Sequence, residues 1–219
     1  MNETNAVERI LSIAFANRIS LQKILEGVGS SSFSAIADQI QPIFEALSEA
    51  HSAEAIEEAE RRWKVGMVVA ICVSPVRGEP MQMVEEVEAI AGAGLRGDRY
   101  CTGQGSFSKG IVGKRPVTLI NGLFVPGSGF TFLETRRNIM VWGEYLELNW
   151  LSEGREFPIG DAIFKGVKYC DPCTRPGELS GNPRSFKRAY SDRGGIVAEV
   201  IKGGMIRVFS PVIPPPKGY

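Results

Sequence analysis

Two thiols separated by two residues, Cys170-Asp171-Pro172-Cys173, are the sharpest chemical feature of this 219-residue chain. Thr174-Arg175-Pro176-Gly177 follows directly. Four readings compete. A thioredoxin-type redox pair needs the first cysteine to open a helix after a strand, and Pro176-Gly177 argues against a helix continuing there. A structural zinc site needs four ligands, and the other candidates, Cys72, Cys101 and His51, stand apart in sequence. Two ordinary thiols beside a loop are the plainest reading. The favoured one is a functional thiolate, acting as nucleophile, sulfur carrier or soft-metal ligand.

Three other stretches could assist such a thiolate. Gly92-Ala93-Gly94-Leu95-Arg96-Gly97-Asp98-Arg99-Tyr100 has glycines that permit positive φ and close backbone approach. It does not open a helix as GxGxxG, and the chain has no Gly-Lys-Ser/Thr phosphate loop. Taken alone, Asp98-Arg99 reads as a structural turn. Thr135-Arg136-Arg137-Asn138-Ile139 sets two planar guanidinium forks side by side, a plausible clamp for phosphate. Its plainer alternative is a solvated helix end. Asp192-Arg193-Gly194-Gly195 reads as a turn before a strand. Residues 96–193 carry fifteen basic and ten acidic side chains, a net of +5. That excess suits an anionic small molecule and is too small for duplex nucleic acid. His51 is far from Cys173 and reads as a capping or surface residue, so a Cys-His dyad is not expected. A Ser-His-Asp hydrolase would need the same histidine and a Gly-x-Ser-x-Gly elbow, which is missing.

These residues need a scaffold. Basic and acidic side chains balance at 25 each, which argues against a general nucleic-acid binder. Composition is ordinary at 43% hydrophobic and 23% charged, which excludes wholesale disorder. No uninterrupted apolar run is long enough to span a membrane. Met1-Asn2-Glu3-Thr4-Asn5 lacks the basic start of a signal peptide. With only four cysteines, a cytoplasmic location is expected rather than a secreted scaffold.

Residues 1–64 hold six basic and ten acidic residues, one proline and two glycines. The remainder holds twelve of thirteen prolines and twenty-three of twenty-five glycines, so a boundary is expected near Trp63–Gly66. A helical extension is expected over 1–64 and a second domain over 65–219. In the extension, Val7, Ile10, Leu11, Ala14 and Phe15 form one helical stripe. Similar stripes run over 21–28 and 33–47, and a last helix is expected from Ser52 to Trp63 with Glu57–Arg61 and Glu58–Arg62 pairs. In the second domain, strands are expected at Val65–Val73, Met81–Ile90, Val117–Ile120 and Ala162–Tyr169. Ile196–Ile201 and Met205–Phe209 flank Lys202-Gly203-Gly204 and read as a hairpin. Helices are expected within Thr131–Leu148 and near Arg184–Tyr190. The tail from Pro211 is Pro-rich and reads as extended. The fold class expected is mainly β, a β-barrel with a helical N-terminal extension and one or two short helices.

Taken in order, these features resemble the MOSC domain, named for the C-terminal domain of the molybdenum cofactor sulfurases. Matching stretches are Gly94-Leu95-Arg96-Gly97-Asp98-Arg99-Tyr100, Arg115-Pro116-Val117-Thr118-Leu119-Ile120 and Arg136-Arg137-Asn138-Ile139. They continue with Phe157-Pro158-Ile159-Gly160-Asp161-Ala162, Cys170-Asp171-Pro172-Cys173 and Arg193-Gly194-Gly195-Ile196-Val197-Ala198, covering about residues 65–210. The resemblance implies a β-barrel and a cysteine that ligates molybdenum of a pterin cofactor or carries sulfur as a persulfide. That cysteine falls on Cys173, with Cys170 as the second candidate. Cofactor-binding candidates implied by the match are Arg136, Arg137 and Asn138 for the phosphate, with Gly97, Asp98 and Arg99 shaping the nearby loop.

The chain departs from the family in two respects. The family often ends in Gly-x-Ile-x-x-Gly-Asp, whereas here Gly204-Met205-Ile206-Arg207-Val208 runs into Phe209-Ser210. A helical segment stands where the reductase-type members carry a β-rich N-terminal domain. The wider family is also associated with pyridoxal phosphate, but no site for it is seen on this chain. Three functions follow as expectations. One is a molybdopterin-dependent oxidoreductase, possible substrates being N-hydroxylated compounds, with Cys173 on the metal. The second is a sulfur carrier holding a persulfide and served by a donor protein. The third is a catalytically silent interaction module. An electron-donor or sulfur-donor protein and a homodimer are the expected partners, with no nucleic acid or membrane.

Overall fold

The structure, a computed structural model, describes residues 6–16, 42–45, 47, 51–113 and 116–217. Residues 6–16 are helical and bury Val7, Ile10, Leu11 and Ala14, the stripe their spacing dictates. The apolar stripes at 21–28 and 33–40 lie outside the described residues, as does Arg115 of the matching stretches. Helix α1 (Ala53–Val65) is capped by Ser52, whose hydroxyl accepts from the Ala55 N–H at 3.3 Å. Glu58 takes both Arg61 and Arg62, at 2.7 and 2.6 Å. Trp63 stands edge-on to Phe44 and to Trp142, with ring centroids 5.9 and 5.7 Å apart. The helical residues therefore share one apolar cluster with Met67, Val69 and Trp142 of the sheet that follows.

The remaining elements run β1 (Met67–Val73), β2 (Gln82–Val84), β3 (Glu86–Ile90), β4 (Gly94–Leu95), β5 (Val117–Asn121) and α2 (Phe132–Thr135). They continue with β6 (Ile139–Trp142), α3 (Leu148–Leu151), β7 (Glu156–Ile159) and β8 (Ala162–Tyr169). Last come α4 (Arg175–Ser180), α5 (Phe186–Ala189), β9 (Ile196–Lys202) and β10 (Gly204–Arg207). Seven strands pair in the order β2-β1-β6-β5-β9-β8-β7, and three in the order β10-β3-β4. Among the described residues only β5 and β6 pair in parallel. Both sheets face one core, with Val68, Leu119, Phe157 and Phe164 from the larger and Val87 and Ile206 from the smaller.

The fold is sheet-dominated with short helices, but among the described residues no strand ladder closes the larger sheet into the expected barrel. Its seam is spanned by the C-terminal segment through single bridges, Met67 with Pro211 and Ile159 with Val212. The Val212 N–H donates to the Gly66 carbonyl at 2.9 Å and the Gly160 N–H to the Pro211 carbonyl at 3.1 Å. The prolines around this segment supply few donors, so a full ladder cannot form there.

Four local expectations are corrected. The run Met81–Ile90 is two strands, because the chain changes sheets at Glu85: β2 pairs with β1 and β3 with β10. The hairpin across Lys202-Gly203-Gly204 does not form. Strand β10 pairs with β3, because the single linking residue, Gly203, bends the chain into the smaller sheet. Within Thr131–Leu148 the helix lasts one turn, ends at Arg136 in the left-handed region, and gives way to β6. A helix does form at Pro176-Gly177. Pro176 sits in the first turn of α4, where a missing N–H costs nothing.

Phe209 stands where the MOSC pattern that the sequence resembles often has glycine, and has φ +66°. The turn needs a left-handed residue, and Phe209 supplies it at a cost near 1 kcal/mol. The Ser210 hydroxyl accepts from the Arg207 N–H at 2.9 Å, so the turn persists without Gly-Asp.

Candidate functional site

The two sharpest sequence stretches meet at one cleft. Strand β8 ends at Tyr169, and Cys170 follows, buried, with its N–H donating to the Gly195 carbonyl at 2.8 Å. Cys173 is exposed and stands just before α4. Both cysteines line a cleft of about 60 Å³ together with Arg99, Arg136, Arg137 and Arg175. Among the described residues no carboxylate lines it. The cleft therefore combines a soft nucleophilic atom with a cationic wall, a donor set suited to an anion that carries a thiophilic centre.

Arg136 and Arg137 are adjacent in sequence and differ in what they touch. The Arg137 Nε donates to the Gly194 carbonyl at 2.8 Å, and its two terminal nitrogens reach the Thr135 and Cys170 carbonyls at 3.3 and 3.5 Å. Its guanidinium also stacks over Phe186 at 5.5 Å. Arg137 is thus a buried staple that ties the 135–138 loop to the 194–195 turn and to the backbone of Cys170. Arg136 takes φ +58° at the C-cap of α2, which turns it away from its neighbour's path. Its guanidinium makes no hydrogen bond or ion pair among the described residues. Burial, followed by the charges of Arg99 and Arg175, lowers its pKa from the ordinary arginine value. A half-buried cation beside two others is electrostatically favourable ground for an anion.

Asp98 and Asn138 support the cleft from behind its wall. The buried Asp98 carboxylate accepts from Ser74 N–H at 3.0 Å, Tyr100 N–H at 3.0 Å, Asn138 Nδ2 at 3.1 Å and Arg99 Nη1 at 3.4 Å. Asn138 Oδ1 accepts from the Thr118 N–H at 3.1 Å and hydroxyl at 2.9 Å, and Nδ2 also donates to the Cys72 carbonyl at 3.3 Å. Both side chains are fully engaged with the protein, so they position the loops. Asn138 reaches the cleft wall, whereas Asp98 and Gly97 do not. Gly97 forms the exposed turn with φ +82° that delivers Asp98 inward. Arg99 donates to the Ser74 carbonyl at 3.3 Å and lies over the Tyr100 ring at 5.1 Å.

Gly194 and Gly195 close the back of the site. A Cβ on Gly194 would collide with the Cys170 carbonyl, and one on Gly195 with the Leu119 carbonyl. The Arg193-Gly194-Gly195 stretch is therefore a close approach of three backbones.

Arg175 is a wall residue that the pattern alone did not single out as an anion ligand. Its closeness to Cys173 is plain in the sequence, where it reads as a cation able to lower a thiol pKa, but only the turn of α4 carries it back to Arg136. Tyr100, the end of the Gly94–Tyr100 stretch, also lines the cleft, as do Ser106 and Phe107, which carried no sequence signal. His51 lies outside it, and no cluster of three or more metal-ligating side chains occurs among the described residues. A larger cavity of about 370 Å³ lies beside Phe124, Trp150 and Arg193. It holds neither thiol and mixes both charge signs, so the smaller cleft is the candidate site.

The family comparison falls on this architecture. Residues 125–212 match the MOSC domain. The MOSC match takes in Arg136, Arg137, Asn138, Cys170 and Cys173, and the resemblance read from the sequence is borne out. The YuaD protein from Bacillus subtilis has a similar structure, with a TM-score of 0.57 and 17% identity. The match covers 68% of this chain and 94% of that one. A second solved structure, described as a hypothetical protein, gives a TM-score of 0.51 at 14% identity, covering 72% and 70%. YiiM from Geobacillus stearothermophilus gives 0.49 at 15% identity, covering 70% and 76%. At these identities YuaD and the hypothetical protein show a shared fold. No curated protein sequence matches the chain. No helix among the described residues is long and apolar enough to cross a membrane.

Proposed function

We propose that the cleft binds an anionic molybdenum-pterin cofactor, with Cys173 as the thiolate ligand of the metal and Arg136, Arg99 and Arg175 on the phosphate. The unpaired, half-buried Arg136 beside two further guanidiniums and an exposed thiol carries this reading. The donor set fits the group, since a thiolate suits a soft metal and guanidinium forks suit phosphate. Room of about 60 Å³ accommodates the phosphate end, while whole-ligand pockets usually exceed about 300 Å³. The cleft thus accounts for the anionic end and the metal ligand, and the ring system would extend beyond it.

Arg137 holds the Cys170 backbone and the Gly194 carbonyl in place, and Asp98 with Asn138 supports the wall from behind. When bound, the cofactor would supply two-electron redox chemistry, and the cofactor-binding members of the family that the sequence resembles include reductases of N-hydroxylated compounds. Acid-released pterin, measured by fluorescence on protein from a host that makes the cofactor, tests the reading. Wild type should carry pterin and Arg136→Gly should lose most of it. Equal pterin in both, or none in folded wild type, would remove Arg136 from the argument.

The exposure of Cys173 favours a second reading, a persulfide carrier loaded by a donor protein. That reading needs no metal, and the persulfide would add the mass of one sulfur atom at Cys173.

A further inference from the structure

We infer that Cys170 and Cys173 form a dithiol that exchanges with small anionic disulfides and closes to an intramolecular disulfide. Both side chains line the same cleft, only Asp171-Pro172 separates them, and neither is bridged. Their exposures divide the labour. Cys173 is exposed and can meet a disulfide from solvent, whereas Cys170 is 2% exposed and meets only what Cys173 brings. The cationic wall of Arg99, Arg136 and Arg175 favours a carboxylate-bearing disulfide in the encounter and the thiolate that leaves. Residues 170–173 have no regular secondary structure, so closure asks for movement in two intervening residues and not in a helix.

The chemistry balances in two steps. The Cys173 thiolate attacks one sulfur of the incoming disulfide; a Cys173–S bond forms, the incoming S–S bond breaks, and one small thiolate leaves. The Cys170 thiol gives its proton to solvent and its thiolate attacks Cys173 Sγ. The Cys170–Cys173 bond forms and the second small thiolate leaves. Two protein thiols are oxidised and one disulfide is reduced to two thiols. The exchange stands apart from the cofactor reading. Where that reading holds, closure also withdraws the metal ligand, which makes occupancy of the cleft dependent on the thiol–disulfide balance.

The other two cysteines serve as internal controls. Cys72 is fully buried and its Sγ donates to the Arg137 carbonyl at 3.5 Å. Burial pushes its thiol up to about 12, so it stays protonated and unreactive. Cys101 lies outside the cleft and is replaced by Ser in the test.

Reduced Cys101→Ser protein, without metal, is incubated with oxidised glutathione and weighed intact. The parent should become lighter by two hydrogens, with the new bond mapped to Cys170 and Cys173. Cys170→Ala should become heavier by one glutathionyl group at Cys173, and Cys170→Ser should do the same if the alanine variant folds poorly. Cys173→Ala should stay unmodified in the folded state. A parent that accumulates the same mixed disulfide as Cys170→Ala would overturn the inference, since the buried thiol would then be out of reach. A parent that remains fully reduced would overturn it as well. Neither outcome depends on molybdenum content, so the cofactor reading is tested separately.

Discussion

Asn138 Nδ2 donates to Asp98 Oδ2 at 3.1 Å, joining two buried side chains that are forty residues apart in sequence. This bond links the Gly97–Tyr100 turn to the loop that carries both Arg136 and Arg137. Asp98 accepts three more hydrogen bonds, from Ser74, Tyr100 and Arg99. Asp98→Ala would strand these donors in a dry interior. We expect a loss of about 3 kcal/mol in urea unfolding, together with loss of ligand at the cleft. A loss below about 1 kcal/mol would show that the cleft is not supported by this carboxylate.

The adjacent arginines should separate cleanly. Arg137→Ala removes donors to three carbonyls and should cost about 2–3 kcal/mol. Arg136→Gly removes an unpaired cation and places glycine at a left-handed C-cap. Its stability should match or exceed the wild type by up to about 1 kcal/mol. Ligand binding should nevertheless fall. Equal destabilisation by the two changes would mean that Arg136 has a structural partner.

Alkaline pH should act through Cys72. Its folded-state pKa is raised by burial, and secondarily by Asp98, from 9.0 to about 12. The protonated thiol is the form the fold favours, so its contribution is complete below the unfolded value near 9 and is lost as pH rises towards 12. The stability difference between wild type and Cys72→Ala should therefore shrink over that window. A difference constant from pH 8 to 12 would exclude this contribution.

Trp63 fastens the helical residues to the sheet through Phe44 and Trp142. Trp63→Ala should cost about 3–5 kcal/mol. Urea unfolding of the wild type should follow one transition by both fluorescence and circular dichroism. Two separated transitions would show that the helices and the sheet unfold independently.

Much of this arrangement was legible in the residues. The 6–16 stripe, the β-branched runs of β1, β5 and β8, and the glycine turns announce their own conformations. The family resemblance also named Arg136, Arg137, Asn138 and the cysteine pair together. What stayed hidden depends on distance along the chain. Gly203 reads as a hairpin turn until β3 is seen to offer β10 a different edge. The stretch Thr131–Leu148 reads as containing a helix, and its extent stays hidden until Arg136, in the left-handed region, ends α2 and β1 supplies Ile139–Trp142 with a partner. The roles of Arg136 and Arg137 cannot be told apart in sequence, because the Gly194 carbonyl that occupies Arg137 lies 57 residues away. The place of Arg175 beside Arg136 was hidden because Pro176 read as a helix breaker, although a first-turn proline suits a helix start.

The central claim is that Cys173 and the arginine wall hold a molybdenum centre. Its most direct test is molybdenum content by elemental mass spectrometry on protein from a host that makes the pterin cofactor. Wild type should carry near-stoichiometric molybdenum, and Cys173→Ala, folded to the same thermal stability, should carry almost none. Folded wild type without metal would contradict the claim, as would a Cys173→Ala protein that retains it.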